Sequence, residues 1–308
     1  MSYSFDPAGP SVQAQLRRIA GEVLANALQT PKALAAPQEG GPQIGAAEVH
    51  ALRKATKKLR GLLRLVKPRL GQFGPANLAL RDAARLLAPL RDHEVMLATL
   101  ASLEGRGGNA PDSVALHELL AARIAELRAP ENLAHAAAGL RASLEPLQDQ
   151  LADWRLKAKG FDALEPGLAT SWRECRRGLK AARRAYGRDE PAEPFHEWRK
   201  VVKHHGYHAR LLQPIWPEMM APHLEAAEAL GELLGDHNDL DGLIGFLESA
   251  EHGLGAPAVE RLLARARARR RKLARRALME GERLFVDRPG ALCARWRGWW
   301  EAARRQRR

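Results

Sequence analysis

Between its prolines and glycines, nearly every segment of this chain repeats apolar residues at three- and four-residue spacing. That period lays them along one face of a helix. Leu, Ala, Arg and Glu dominate while β-branched and aromatic residues are sparse, so local propensity points the same way. The fold is therefore expected to be all-α. The pattern predicts helices over 11–29, 46–69, 75–88, 91–103, 111–127, 130–159, 162–186, 191–212, 217–234, 240–251, 257–284 and 289–307. The Pro/Gly/Gln stretch 30–45 reads as a flexible linker, and 105–109 as a loop.

A self-comparison uncovers a second constraint. Val49-His-Ala-Leu-Arg-Lys-Ala-Thr-Lys aligns with Phe195-His-Glu-Trp-Arg-Lys-Val-Val-Lys, and at the same offset Arg64 meets Arg210, Leu65 meets Leu211 and Pro68 meets Pro214. About one helix later each copy carries a related pattern, Leu90-Arg-Asp-His-Glu-Val in the first and His237-Asn-Asp-Leu-Asp-Gly in the second. Two halves with one plan are implied, about 11–160 and 162–308, within a single domain spanning 1–308.

On a helix, His50, Arg53, Lys54, Lys57, Arg60 and Arg64 share one arc of about 120°, and Leu52, Leu59, Leu62, Leu63 and Val66 lie opposite. In the second copy His196, Arg199, Lys200, Lys203, Tyr207 and Arg210 reproduce the arc, with Trp198, Val201 and Leu212 on the apolar side. Within these two segments only Glu197 supplies a carboxylate on the second ridge, so the positive charge is not neutralised locally. A solvated face has no reason to keep His, Arg, Lys and Lys in one order twice. The repetition argues for a bound anion. The whole chain agrees, with 49 Lys and Arg against 36 Asp and Glu and a formal net charge of +13. Such an excess predicts a polyanionic partner. Arginine predominates among the cations and can grip two phosphate oxygens at once.

The same reading excludes other chemistry. Cys175 and Cys293 are the only cysteines, too few for a disulfide framework or a thiolate zinc site. Neither ridge pairs its histidine with a second ligand at metal spacing. No metal and no cofactor is expected. No run of about 20 apolar residues spans a membrane, and the first residues lack a secretory pattern. A cytoplasmic protein without membrane association is expected. Nucleic acid is the rival partner, favoured by the arginine-rich segment 265–276 and the terminal Arg304-Arg-Gln-Arg-Arg. Against it, aromatic residues are only 5% of the chain and none forms a stacking platform on either ridge. An enzyme acting on such a polyanion or on a triphosphate would need metal-binding carboxylates or a Gly-rich phosphate loop. Catalysis is not expected.

The order His-x-x-Arg-Lys-x-x-Lys, given twice and followed by Arg-Asp-x-Glu and Asn-Asp-x-Asp, resembles the CHAD family, the conserved histidine α-helical domain. The resemblance implies two pseudo-symmetric four-helix bundles around a basic central surface, binding of inorganic polyphosphate, and association with polyphosphate granules and their proteins. Carried onto this sequence, the ligand surface would include His50, Arg53, Lys54, Lys57 and Arg60, then His196, Arg199, Lys200 and Lys203. Trp172-Arg-Glu-Cys-Arg-Arg resembles the helix that precedes the second histidine, adding Arg173, Arg176 and Arg177, with Arg17 and Arg18 in the corresponding place before the first. Arg91, Asp92, Asp239 and Asp241 are expected to orient the cations rather than to touch ligand. Three positions depart from the family pattern: Gly206 and His204 stand where cations are usual, and Arg210 where an acid is expected. Weaker binding or pH sensitivity through His204, His205 and His208 is expected there.

Overall fold

The protein is described from a computed structural model covering residues 3–29, 46–86, 88–104, 111–188, 192–249 and 255–306, with the side chains of 46–50 and 111–113 set aside. The expected linker and the 105–109 loop lie outside the described residues. Eleven α-helices account for almost all of them: α1 (Val12–Ala27), α2 (Ala46–Val66), α3 (Phe73–Leu86), α4 (Ala88–Glu104), α5 (Pro111–Leu127), α6 (Pro130–Asp149), α7 (Glu165–Arg188), α8 (Glu193–Leu212), α9 (Pro217–Glu248), α10 (Ala256–Leu284) and α11 (Pro289–Gln306). The fold is all-α, and no strand occurs among the described residues.

Three expected boundaries differ. The helices expected over 217–234 and 240–251 are one continuous α9, because Gly235, His237 and Leu240, within or beside the expected gap, are buried against neighbouring helices. Packing there outweighs the glycine and asparagine that read as a break. The helix expected to reach 159 stops at Asp149, where a 3-10 turn over Gln150–Asp153 brings Trp154 into the core. The helix expected from 91 begins at Ala88.

The arcs sort as the periodicity predicts. Leu52, Leu59, Leu62, Leu63 and Val66 of α2 are buried, as are Trp198 and Leu212 of α8. The main core runs through both halves without a break. A smaller one joins α4 and α5 of the first half to α9 and α10 of the second through Leu100, Leu116, Leu120, Leu243 and Leu262. The two ridge helices pack directly on each other. Their crossing is tight at Gly61, where an added Cβ would stand 2.6 Å from the Cβ of Tyr207. Tyr207 is Gly61's own counterpart in the repeat, so the second copy fills the notch that the first leaves open. α7 approaches α2 more closely still, since a Cβ on Gly167 would lie 1.9 Å from the carbonyl oxygen of Leu65.

Behind α8 lies an aromatic box. His205 contacts His223 through their Nε2 atoms at 2.8 Å, surrounded by Trp172, Phe285 and Trp296. His208 donates from Nε2 to the carbonyl of Gly61 at 3.0 Å. Burial drives both histidines far below their ordinary range, His208 to about 3, so they are neutral core groups. The expected pH sensitivity of binding through His205 and His208 is corrected on this ground.

Candidate functional site

The inward stripe of α2 and the facing stripe of α8 converge. Arg53, Lys57, Arg199 and Lys203 lie within one another's fields, and Arg91, reaching in from α4, joins them. None of these five cations forms an ion pair with a described residue. Lys57 records the crowding most clearly, since desolvation of its ammonium together with Arg53, Arg199, Lys203 and Arg91 brings it down to about 8. Burial also lowers Arg53 and Lys203. Lys203 lies along α9, with Nζ 3.3 Å from the place a Cβ on Gly231 would occupy.

Further along the stripe, Arg60 and Arg64 approach Arg81 of α3 and His204 of α8. From Arg53 to Arg64 the stripe extends roughly 16 Å at 1.5 Å per residue. Arg60, Arg64 and Arg199 each hold a buried Nε–H that meets no acceptor. A buried guanidinium donor left without an acceptor costs free energy of the order of 1–3 kcal/mol. An arriving oxyanion would satisfy it. Strong like-charge crowding plus open donors is the signature of a surface organised for an anion.

Not every expected ligand residue joins this surface. Arg17 donates through Nε and Nη2 to the carbonyl of Trp154 at 3.1 and 2.8 Å, which fixes the turn after α6. Arg18 reaches Glu22 and the carbonyl of Ser4. Arg176 gathers the carbonyls of Phe285, Val286 and Asp287, closing the C-terminal end of α10. Arg210 pairs with Glu228, and Lys200 with Glu197. Arg17 and Arg176 are corrected to structural partners, because main-chain carbonyls across the fold engage their guanidinium donors, whereas Arg18, Lys200 and Arg210 are partly exposed and pair with carboxylates at the surface. Lys54 is exposed beside Lys58. Arg173 and Arg177 are exposed on α7, and Tyr207 packs edge-on against Tyr3 in the helix crossing. His50 belongs to α2, but its side chain lies outside the described residues.

His196 contacts Asn238, and Asn238 donates to Asp239 at 3.5 Å, so the second motif holds the second histidine in place. Asp92 favours the charge of Arg53, as an orienting residue should, whereas Glu94 is occupied by Arg128 at 2.8 Å. Asp241 is corrected, because it pairs with Arg270 of α10 rather than with a ridge cation. Arg91 is corrected too: it stands among the cations and carries no ion pair with a described residue.

Two features escaped the sequence. Carboxylates do reach the second ridge, since Glu228, Glu232 and Asp236 of α9 act on Lys203. They come from another helix, which no spacing rule within α8 can foresee. Arg81 also joins from α3, without any motif of its own. Gly206, the counterpart of Arg60, leaves open space where α8 would otherwise carry its next cation.

Two solved structures share the fold. PptA from Streptomyces chartreusis aligns with a TM-score of 0.63 at 15% identity, covering 91% of this chain and 100% of that one. The crystal structure of the CHAD domain from the plant Ricinus communis aligns with a TM-score of 0.60 at 18% identity, covering 91% of this chain and 95% of that one. Among curated proteins, none matches the chain. The CHAD domain family model matches residues 27–248, which include both ridges and both following motifs. On that match over most of its length, the chain belongs to the CHAD domain family.

Proposed function

We propose that this protein binds inorganic polyphosphate in the groove where α2 and α8 meet, and that it does so as a binding protein of polyphosphate granules rather than as an enzyme. The observation that carries the reading is the convergence of Arg53, Lys57, Arg91, Arg199 and Lys203, from three helices, without an ion pair to any described residue. Family membership supports the same ligand. Guanidinium and ammonium groups hold phosphate oxygens by charge-assisted hydrogen bonds and need no base to read. Carboxylates flank the cluster, Asp92 near Arg53 and Glu228, Glu232 and Asp236 near Lys203, but among the described residues no set of three or more His, Cys, Asp or Glu could hold a metal ion. No helix among the described residues is long and apolar enough to cross a membrane.

Calorimetric titration with polyphosphates of defined length tests the reading. Long chains should bind at least about tenfold more tightly than pyrophosphate or ATP, because only a long chain can fill the convergent cluster and also follow the stripe roughly 16 Å from Arg53 to Arg64. Releasing counterions at about five contacts should give a salt slope of roughly −3 to −4, by analogy with single strands. Equal affinity for pyrophosphate would contradict the bridging mode. RNA that displaced polyphosphate at equal charge concentration would favour the nucleic-acid alternative instead.

A further inference from the structure

The C-terminal half of the α2 stripe has its own company. Arg53 is acted on by Arg91, Asp92, Glu94 and Arg199, and Lys57 by Arg53, Arg91, Arg199 and Lys203. Arg60 is acted on by Arg64 and Arg81 alone. The two sets share no member. One stripe thus feeds two charge clusters, the second assembled from α2, α3 and α8.

The second cluster has unfilled hydrogen-bonding capacity. The Nε–H groups of Arg60 and Arg64 are buried without an acceptor, and so is Nδ1 of His204. Neither Arg60 nor Arg64 has an ion pair with a described residue. The nearest carboxylate recorded for the cluster is Asp82, which lies 3.2 Å from Arg81 and 3.6 Å from Arg85, and so neutralises only the rim. The charged and titratable groups bearing on His204 are Arg60 and Arg64 of α2 and His208 of its own helix. In the repeat His204 is the counterpart of Lys58, whose ammonium in the first copy lies over the ring of Tyr3. The second copy therefore lends an imidazole to arginines of the first.

We propose that Arg60, Arg64, Arg81 and His204 form a second anion site, separate from the convergent cluster, that takes one tetrahedral oxyanion of the phosphate or sulfate type. Two guanidinium groups grip its oxygens from α2, Arg81 closes it from α3, and the imbalance of charge is relieved when the anion arrives. The occupant is either a free oxyanion or one phosphoryl group of a longer chain. Only the latter rests on the polyphosphate reading. An anion seated there also changes the character of His204. Burial and the two arginines now keep its imidazole neutral. A neighbouring negative charge within a few ångströms typically raises such a group by 1–3 pH units.

The test uses sulfate, which does not titrate in the relevant range, on the full chain by NMR of arginine Nε–H and histidine ring signals. Sulfate, against chloride at matched ionic strength, should shift the Arg60 and Arg64 Nε–H signals saturably. It should also raise the titration of His204 by about one pH unit or more. The same response is expected in Lys57→Ala, which disables the convergent cluster, and should be lost in Arg64→Ala with Arg81→Ala. His204→Gln identifies the ring signal. Absence of saturable shifts in the wild type would overturn the proposal, as would their loss in Lys57→Ala, since one merged site would then explain everything. Long-chain polyphosphate is added to a parallel sample. If it fails to bind while sulfate still gives the expected shifts, the second site stands for free oxyanions and the polyphosphate reading falls.

Discussion

Lys57 is the residue at which the site's electrostatics are easiest to read. Desolvation of its ammonium and four neighbouring cations bring it down to about 8, although the residue as a whole is exposed. The unfolded chain binds that proton more tightly, so between about 8 and the ordinary 10.5 stability rises with pH. A polyanion acts in the opposite sense by favouring the charged form. Binding at pH 8–9 should therefore take up a proton, and affinity should fall as pH rises through and above 8. Calorimetry in two buffers of different ionisation heat measures the uptake, which Lys57→Gln should abolish. Uptake unchanged in that variant would remove Lys57 from the site. Arg53, Lys57, Arg199 and Lys203 were legible in the sequence because a repeat kept their order and spacing. Arg91 was legible as a position but not as a role, since a motif does not say whether its arginine points at an acid or at a ligand. Arg17, Arg176 and Arg210 look no different in sequence from ridge cations, and only the carbonyls and carboxylates they meet through the fold separate them.

Helices are where periodicity speaks most directly, and the apolar arcs of α2 and α8 are buried as their spacing requires. Breaks are less legible, because a glycine that ends one helix lets another pack closely. Gly235 did not interrupt α9, and Gly167 is where α7 touches the backbone of α2. A side chain at Gly167 would meet main-chain atoms that cannot swing aside. Gly167→Ala should therefore destabilise the protein by roughly 1–3 kcal/mol through overpacking. Gly187→Ala, on the same helix with open space around it, should be neutral or stabilising by up to about 1 kcal/mol. Urea unfolding midpoints of the two variants check this, and similar losses in both would argue against the close α2–α7 crossing. Such an approach was invisible in sequence because it depends on a carbonyl some 100 positions away.

At the scale of the whole molecule, a cationic groove is held on a frame that keeps several histidines dry. His208 lies near 3, and His223 and His237 near 4, against an ordinary value of 6.5. The unfolded chain takes up protons that the folded one refuses, so stability should be full above about 6.5 and fall as pH drops from there towards 4. Thermal midpoints at pH 7 and pH 5 in constant salt would show the decline, and an unchanged midpoint would contradict the buried box. Polyphosphate should raise the midpoint at pH 7, since the organised groove binds it better than the unfolded chain does. The central claim is that the helix-borne cluster, and not net charge, carries binding. It is tested by titrating long-chain polyphosphate, at matched salt, into Arg53→Ala with Lys57→Ala, Arg199→Ala with Lys203→Ala, and Arg275→Ala with Arg276→Ala. The last pair is exposed on α10 and removes as much charge as either of the others. If each lost contact is worth about 1–2 kcal/mol, either groove variant, which loses two, should weaken binding by roughly one and a half to three orders of magnitude. The α10 variant should lose less than about threefold, consistent with surface charge screened by salt. A larger loss in the α10 variant than in both groove variants, with all three folded, would contradict the groove and leave nonspecific attraction to an arginine-rich helix in its place.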